Sequence, residues 1–264
     1  MSQSTDSRLR ELDAVLDQQG AAPELASQLF AIVDVLDTTP ALRRALSDPA
    51  ADESAKGTLV DRLFGTQVGA GALAVLKAAA VRRWGSPKRL ADAVERQAVR
   101  AEFSSASSAG QLDQVSDELF RFGQTVAGND ELREALGNGR VPLAARRQLV
   151  TTLLAGKASP ATVRLAERAV SARERTYALT LDNYATTAAQ LRDRQVAKVT
   201  VAQPLTADQD ARLRAALIRI AGRQVDVQVT VDPEVLGGMR VQLGDEVIEG
   251  TIAQRLEDAR RQIA

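Results

Sequence analysis

The 264-residue sequence predicts a mainly α-helical protein: two tandem small helical bundles followed by a small α+β domain of order β-α-β-β-β-α. Three observations point there. Apolar residues recur at helical spacing from residue 9 to about 195. That stretch resembles itself when displaced by 90 residues. After Val196 the apolar period shortens to two, the half-buried strand pattern. The expected domains are 1–87, 88–195 and 196–264.

Taken in order, Leu25, Leu29, Ile32, Val33 and Leu36 lie on one stripe of a 3.6-residue helix. Thr39-Pro40 reads as an N-cap with proline in the first helical position, opening a short helix through Leu42 and Leu46 that stops at Asp48-Pro49. Leu59, Val60, Leu63 and Phe64 form the next stripe, closed by Gly65; Leu73, Leu76, Ala80 and Trp84 form another, closed by Gly85. Ser86-Pro87 starts a long helix that the residues 104–110 end. Under the 90-residue displacement Leu29-Phe30 falls on Leu119-Phe120, Leu42-Arg43 on Leu132-Arg133, and Ala45-Leu46 on Ala135-Leu136. Ten of the 36 pairs from residue 29 to 64 are identical, against roughly three expected by chance in so Ala- and Leu-rich a sequence. Two copies are too few for a solenoid, hence a tandem pair of bundles. Shared amphipathic patterning without common descent is the other reading of the same matches.

Beyond residue 196, Val225, Val227, Val229 and Val231 alternate with polar residues, and Met239, Val241 and Leu243 repeat the pattern. Gly244-Asp245 reads as a two-residue hairpin turn leading into Val247-Ile248. Between the first two strands, Thr206 and Gln209 form a capping box for a helix carrying Leu213, Leu217 and Ile220. A last helix after Gly250 carries Ile252, Leu256, Ala259 and Ile263 on one stripe.

The composition removes most chemistry. Histidine and cysteine are absent, which excludes zinc fingers, iron–sulfur clusters and nucleophiles activated by histidine. Thirty-four Lys and Arg balance thirty-four Asp and Glu, so no overall basic field holds nucleic acid or an anionic bilayer. Gly156-Lys157 lacks the earlier glycine and the following Ser or Thr of a phosphate loop, since Thr151 and Ala158 stand there. The cations Arg82, Arg83, Lys88 and Arg89 beside Trp84 read as a dressed helix C-terminus rather than an RNA platform. No catalytic, cofactor or metal site is expected.

One segment is specific. In residues 231–251 the order of Asp232, Gly237-Gly238, Gly244-Asp245, Val247-Ile248 and Gly250 resembles the C-terminal signature of the ATP synthase delta subunit family, which includes the oligomycin-sensitivity-conferring protein; Arg255-Leu256 matches its following helix. The resemblance extends back to about Ala98, with Ala101-Glu102-Phe103 near the family's first helix, although the tyrosine common in that helix is not at Ala98 and Glu249 stands where aspartate is usual. The extra residues 1–87 are similar to the long actinobacterial form, with the helical domain duplicated. The resemblance implies a noncatalytic stator component on the cytoplasmic face of the bacterial cell membrane, without direct membrane insertion, joining the catalytic head to the peripheral stalk. It implies as partners the N-terminal helices of the alpha subunit, with beta a further candidate, near Phe103, Val163, Ala166 and Val170. It implies the b subunit at Ile252, Leu256, Ala259 and Ile263. A helical adaptor of an unrelated complex keeps the bundles but needs no glycine signature.

Overall fold

A computed structural model of the chain describes residues 2–171, 176–192, 195–221, 225–232, 238–243 and 246–249. The chain is mainly helical with a small mixed sheet near its C-terminus, and it divides into two compact units, Met1–Leu191 and Arg192–Ala264. The first unit carries α1 (Ser2–Gln18), α2 (Pro23–Thr38), α3 (Pro40–Ser47), α4 (Glu53–Phe64), α5 (Ala70–Ala80) and α6 (Pro87–Ser108). It continues with α7 (Leu112–Ala127), α8 (Asp130–Gly137), α9 (Leu143–Leu154), α10 (Pro160–Ala169) and α11 (Tyr177–Arg192).

The boundaries follow local chemistry. The Ser86 hydroxyl accepts from the Arg89 amide with Pro87 at the first helical position, and Ser159 accepts from Thr162 ahead of Pro160. Asp52 and Asn129 cap α4 and α8 in the same way. Thr39 does not: at φ −123°, ψ 80° its side chain makes no capping bond, and its amide instead closes α2 onto the Val35 carbonyl. Helix α6 ends where Gly110 takes φ +70°, a left-handed conformation that glycine tolerates best.

The stripe of α2 is buried as its spacing predicts. Of the α4 stripe Val60 and Phe64 are buried, Leu59 is half-buried and Leu63 is exposed, because residues one apart are 100° apart on a helix and four apolar residues spread wider than one contact. In α5 the buried face is Ala72, Val75, Leu76, Ala79 and Ala80. Trp84 lies past the end of that helix, buried, its indole N–H donating to the Ala79 carbonyl at 2.8 Å. Helix α6 is hidden nearly all round, touching α1, α2, α3, α5, α7 and α10. The expected division at residue 87 falls at its start.

Displaced by 90 residues, α3 falls on α8 and α4 on α9 residue for residue, α5 and α10 start together, and so do α6 and α11. Polar contacts repeat with the helices. Arg43 donates to the Asp37 carbonyl as Arg133 does to Ala127, Lys56 to the Ala80 carbonyl as Arg146 to Val170, and the Gln28 side chain accepts from the Gly69 amide as Glu118 does from Ser159. Leu46 and Leu136 are both buried in matching positions. Amphipathic patterning alone does not reproduce such side-chain-to-backbone bonds; the two stretches share helix boundaries and these contacts.

The second unit holds β1 (Gln195–Val201), α12 (Ala207–Ala221), β2 (Val225–Val231), β3 (Met239–Leu243) and β4 (Glu246–Glu249). The strand order is β2-β1-β3-β4, with β1 parallel to β2 and antiparallel to β3, and β3 antiparallel to β4. Strand β1 starts two residues before Ala197, where the alternation becomes visible in the sequence. The capping box is present: the Thr206 amide donates to Gln209 Oε1 at 2.9 Å and the Gln209 amide to Thr206 Oγ1 at 3.3 Å. Ala197, Val199, Val201, Leu217, Val225, Val227 and Val241 make the core. Val229 and Val231 share the parity of Val225 yet are exposed, as they sit on the far half of an edge strand.

Candidate partner-binding site

Two surfaces of the helical unit, equivalent under the 90-residue displacement, have opposite fates. On the first, Phe30 of α2 is 7% exposed, with the Arg168 guanidinium of α10 stacked 4.8 Å above its ring. Arg168 also donates to Asp34 at 2.6 Å and to Glu95 at 3.1 Å, and the Tyr184 hydroxyl donates to Glu95 at 3.2 Å. Burial disfavours the guanidinium charge, but Glu95 and Asp34 outweigh it and raise the Arg168 pKa above its ordinary value. A parallel polar seam ties α1 to α6. Asp13 accepts from Arg96 and, at 2.8 Å, from Gln97, while Arg100 donates to Asp17 at 3.0 Å. Burial works against the Asp13 carboxylate, yet these donors prevail and hold its pKa below the usual aspartate value.

On the second surface the residue equivalent to Phe30 is Phe120, which is 64% exposed. It stands on the rim of an open groove between α7 and α11, whose floor is Phe103 of α6. Leu119, Ala127, Leu181, Ala185 and Ala188 line it, with Ser116, Gln124 and Asp182 among the polar members. The walls meet at Gly123, where an added Cβ would lie 3.4 Å from Leu181 Cδ1. Behind the groove the start of α11 is fixed by Tyr177, whose ring packs edge-on against Phe122 at 6.2 Å and whose hydroxyl donates to the Ala166 carbonyl at 3.2 Å. Burial pushes the Tyr177 phenol well above its ordinary pKa, so it stays a neutral donor.

The positions expected to meet the alpha helices fall as follows. Phe103, Ala166 and Val170 have no exposed surface and Val163 is half-buried, and only Phe103 borders the groove. The groove itself went unpredicted; the only sequence signal was the Phe30/Phe120 match. In the glycine signature, the Asp232 amide donates to the Val201 carbonyl at 2.9 Å, and Gly238 takes φ +83°, where a side chain would be strained. Gly237, Gly244, Asp245, Gly250 and the stripe Ile252, Leu256, Ala259 and Ile263 lie outside the described residues. The β3–β4 register pairs Leu243 with Glu246, which leaves two residues for the connection.

Among the described residues no group of three metal-ligating side chains comes together, and no single helix is long and apolar enough to cross a membrane. Lys157 follows Gly156 (φ +69°) after helix α9 rather than after a strand, so the pair ends a helix. Arg82 donates to the Ala78 carbonyl in the last turn of α5 and pairs with Glu11 at 3.3 Å, the helix-end role that its cluster suggests.

Residues 94–263 match the family model described as ATP synthase delta (OSCP) subunit. The chain is 46% identical over 264 residues to the ATP synthase subunit delta of Streptomyces avermitilis, covering 99% of this chain and 97% of that one. It is 45% identical over 255 residues to that of Streptomyces coelicolor (96% and 93%) and 44% identical over 262 residues to that of a Parafrankia species (94% and 94%). A chain of the Toxoplasma gondii mitochondrial ATP synthase hexamer aligns with 62% of this chain at 22% identity and a TM-score of 0.27, too low for their shapes to be compared. The match over residues 94–263 and the near full-length identities agree: the chain belongs to the ATP synthase delta (OSCP) subunit family and is a noncatalytic stator subunit of F-type ATP synthase.

Proposed function

We propose that the chain clamps the alpha/beta catalytic head to the b subunit of the peripheral stalk, the helical unit holding N-terminal helices of alpha and the C-terminal unit holding b. The observation that carries this reading is the division into two compact units, Met1–Leu191 and Arg192–Ala264, since a tether needs two independent grips. The helical unit consists of two overlapping six-helix bundles, α1–α6 and α6–α11, that share α6. The stripe Ile252, Leu256, Ala259 and Ile263 supplies the apolar surface for b. The complex works at the cytoplasmic face of the cell membrane, with this chain peripheral and without nucleic acid or cofactor.

The test is native mass spectrometry of the full chain with purified head and soluble b dimer. The expected species contains all three, and the head and b do not associate without the chain. A head–b complex of equal abundance formed in its absence would overturn the proposal.

A further inference from the structure

We propose that the first bundle carries a binding site for a small organic anion, in the cavity between the end of α3 and the start of α6. The cavity measures about 600 Å³ and opens to solvent. That volume falls in the ~300–1,000 Å³ typical of small-molecule sites and exceeds what a bare inorganic anion fills. Every residue lining it precedes residue 94, where the match to the family model begins, so the site belongs to the added bundle. Its base is Trp84, whose indole N–H is already donated to the Ala79 carbonyl at 2.8 Å, so the ring offers the cavity apolar surface. Ala45, Pro49 and Pro87 continue that surface. Two exposed arginines border it, Arg44 from the last turn of α3 and Arg83 from the segment that follows α5.

Neither arginine is needed by the helices that carry it. The helix-end roles fall to their neighbours: Arg43 donates to the Leu36 carbonyl at 3.0 Å and pairs with Asp37, while Arg82 donates to the Ala78 carbonyl and pairs with Glu11. The guanidiniums of Arg44 and Arg83 make no hydrogen bond or ion pair with any described residue. Asp48 is the one acid lining the cavity, and its carboxylate accepts from the Ala50 amide at 2.9 Å in a tight turn. Displaced by 90 residues, Asn138 makes the same turn with the Arg140 amide at 3.0 Å, so the oxygen at this position serves the turn rather than the arginines. The same displacement turns Arg44 into Glu134 and Trp84 into Glu174, yet α8 keeps the length and place of α3. A bundle that forms with glutamate there has no structural need of arginine. Two guanidiniums beside an apolar base suit a carboxylate or phosphate carried on an apolar body: their forked N–H groups pair with the oxyanion, and the body covers the indole. Occupied, the cavity ties α3 to the start of α6.

Trp84 is the single tryptophan of the chain, so its emission reports on the cavity from within. The full chain is titrated with phenyl phosphate and with phenylacetate; inorganic phosphate supplies charge without the body, and benzyl alcohol the body without charge. At least one of the two aromatic anions should shift the emission saturably and raise the melting temperature with its concentration, and the tighter of the two tells phosphate from carboxylate. Inorganic phosphate should bind roughly tenfold more weakly, and benzyl alcohol should give no saturation. Arg44→Glu, which copies Glu134, and Arg83→Gln should each weaken the aromatic anion by roughly tenfold or more, the scale of one charge-assisted hydrogen bond. Both positions are exposed, and the melting temperature without ligand checks the fold. Arg140→Gln, at an exposed arginine of the second copy, should bind as wild type does. No saturation by either aromatic anion overturns the proposal, as does undiminished binding by both arginine variants. Equal affinity for inorganic phosphate means an adventitious ion only and overturns it too. Saturation by a tetraglutamate peptide but by neither aromatic anion also overturns it, by making the cavity a contact for an acidic protein segment.

Discussion

Replacing Arg168 by methionine tests the seam that locks the two halves of the helical unit together. Methionine keeps most of the side-chain length and apolar packing but removes the guanidinium that pairs with Glu95 at 3.1 Å, and Glu95 is buried at 2% exposure. Breaking such a pair from one side costs about 3–5 kcal/mol, because a buried charge is left behind. Tyr184 still donates to Glu95 at 3.2 Å, which places the cost at the lower end, about 3 kcal/mol. Asp34 is half exposed and adds under about 1 kcal/mol, and the lost stacking on Phe30 adds about 1 kcal/mol. The sum, about 4 kcal/mol, is a large part of a typical domain's ~5–15 kcal/mol. With a slope of ~2–3 kcal/mol/M, the urea midpoint should fall by about 1.5 M. In the double variant with Glu95→Gln the loss should be clearly smaller than the sum of the singles. A loss under about 1 kcal/mol for Arg168→Met alone would refute a tightly coupled seam.

Other outcomes follow from the same contacts. The folded-state pKa of Asp13 is depressed, so its contribution is complete above the ordinary aspartate value of about 3.9 and drains away as pH falls below it; Asp13→Asn should therefore destabilise the chain at pH 7 and flatten the acid limb of its urea midpoint against pH. Leu46→Ala and Leu136→Ala should each cost about 2–5 kcal/mol and match within about 1 kcal/mol, since both are buried at equivalent positions; calorimetric unfolding that separates them widely speaks against equivalent bundles. Leu256→Asp should weaken the b complex by about a hundredfold with an unchanged circular dichroism spectrum, and normal b affinity in a folded variant rejects the stripe as the docking surface.

How far the sequence reached depends on how local each cause is. The Ser86 cap and the Thr206–Gln209 box are set by neighbours within four residues, and both are present. Of the expected α5 stripe, Leu76, Ala80 and Trp84 are buried and Leu73 is half-buried; Ala72, Val75 and Ala79 complete the buried face, and the alanines among them carry too little hydropathy contrast to stand out in the sequence. Glu95, Gln97, Arg100 and Glu102 on α6 are polar or charged, yet all are buried. Their partners, Arg168, Asp13, Asp17 and Arg164, lie more than 60 residues away, beyond any periodicity. The groove was hidden for a related reason. Phe30 and Phe120 are identical in sequence, and only the packing of α10 on one of them makes the other a surface.

The central claim, that this chain transmits stator force between head and stalk, is tested most directly by proton-driven ATP synthesis in membrane vesicles stripped of the chain. Adding back the full chain should restore synthesis while leaving the ATP hydrolysis rate of the isolated head unchanged. Full synthesis without the chain, or no recovery when it is returned to vesicles whose other subunits are intact, would contradict the account.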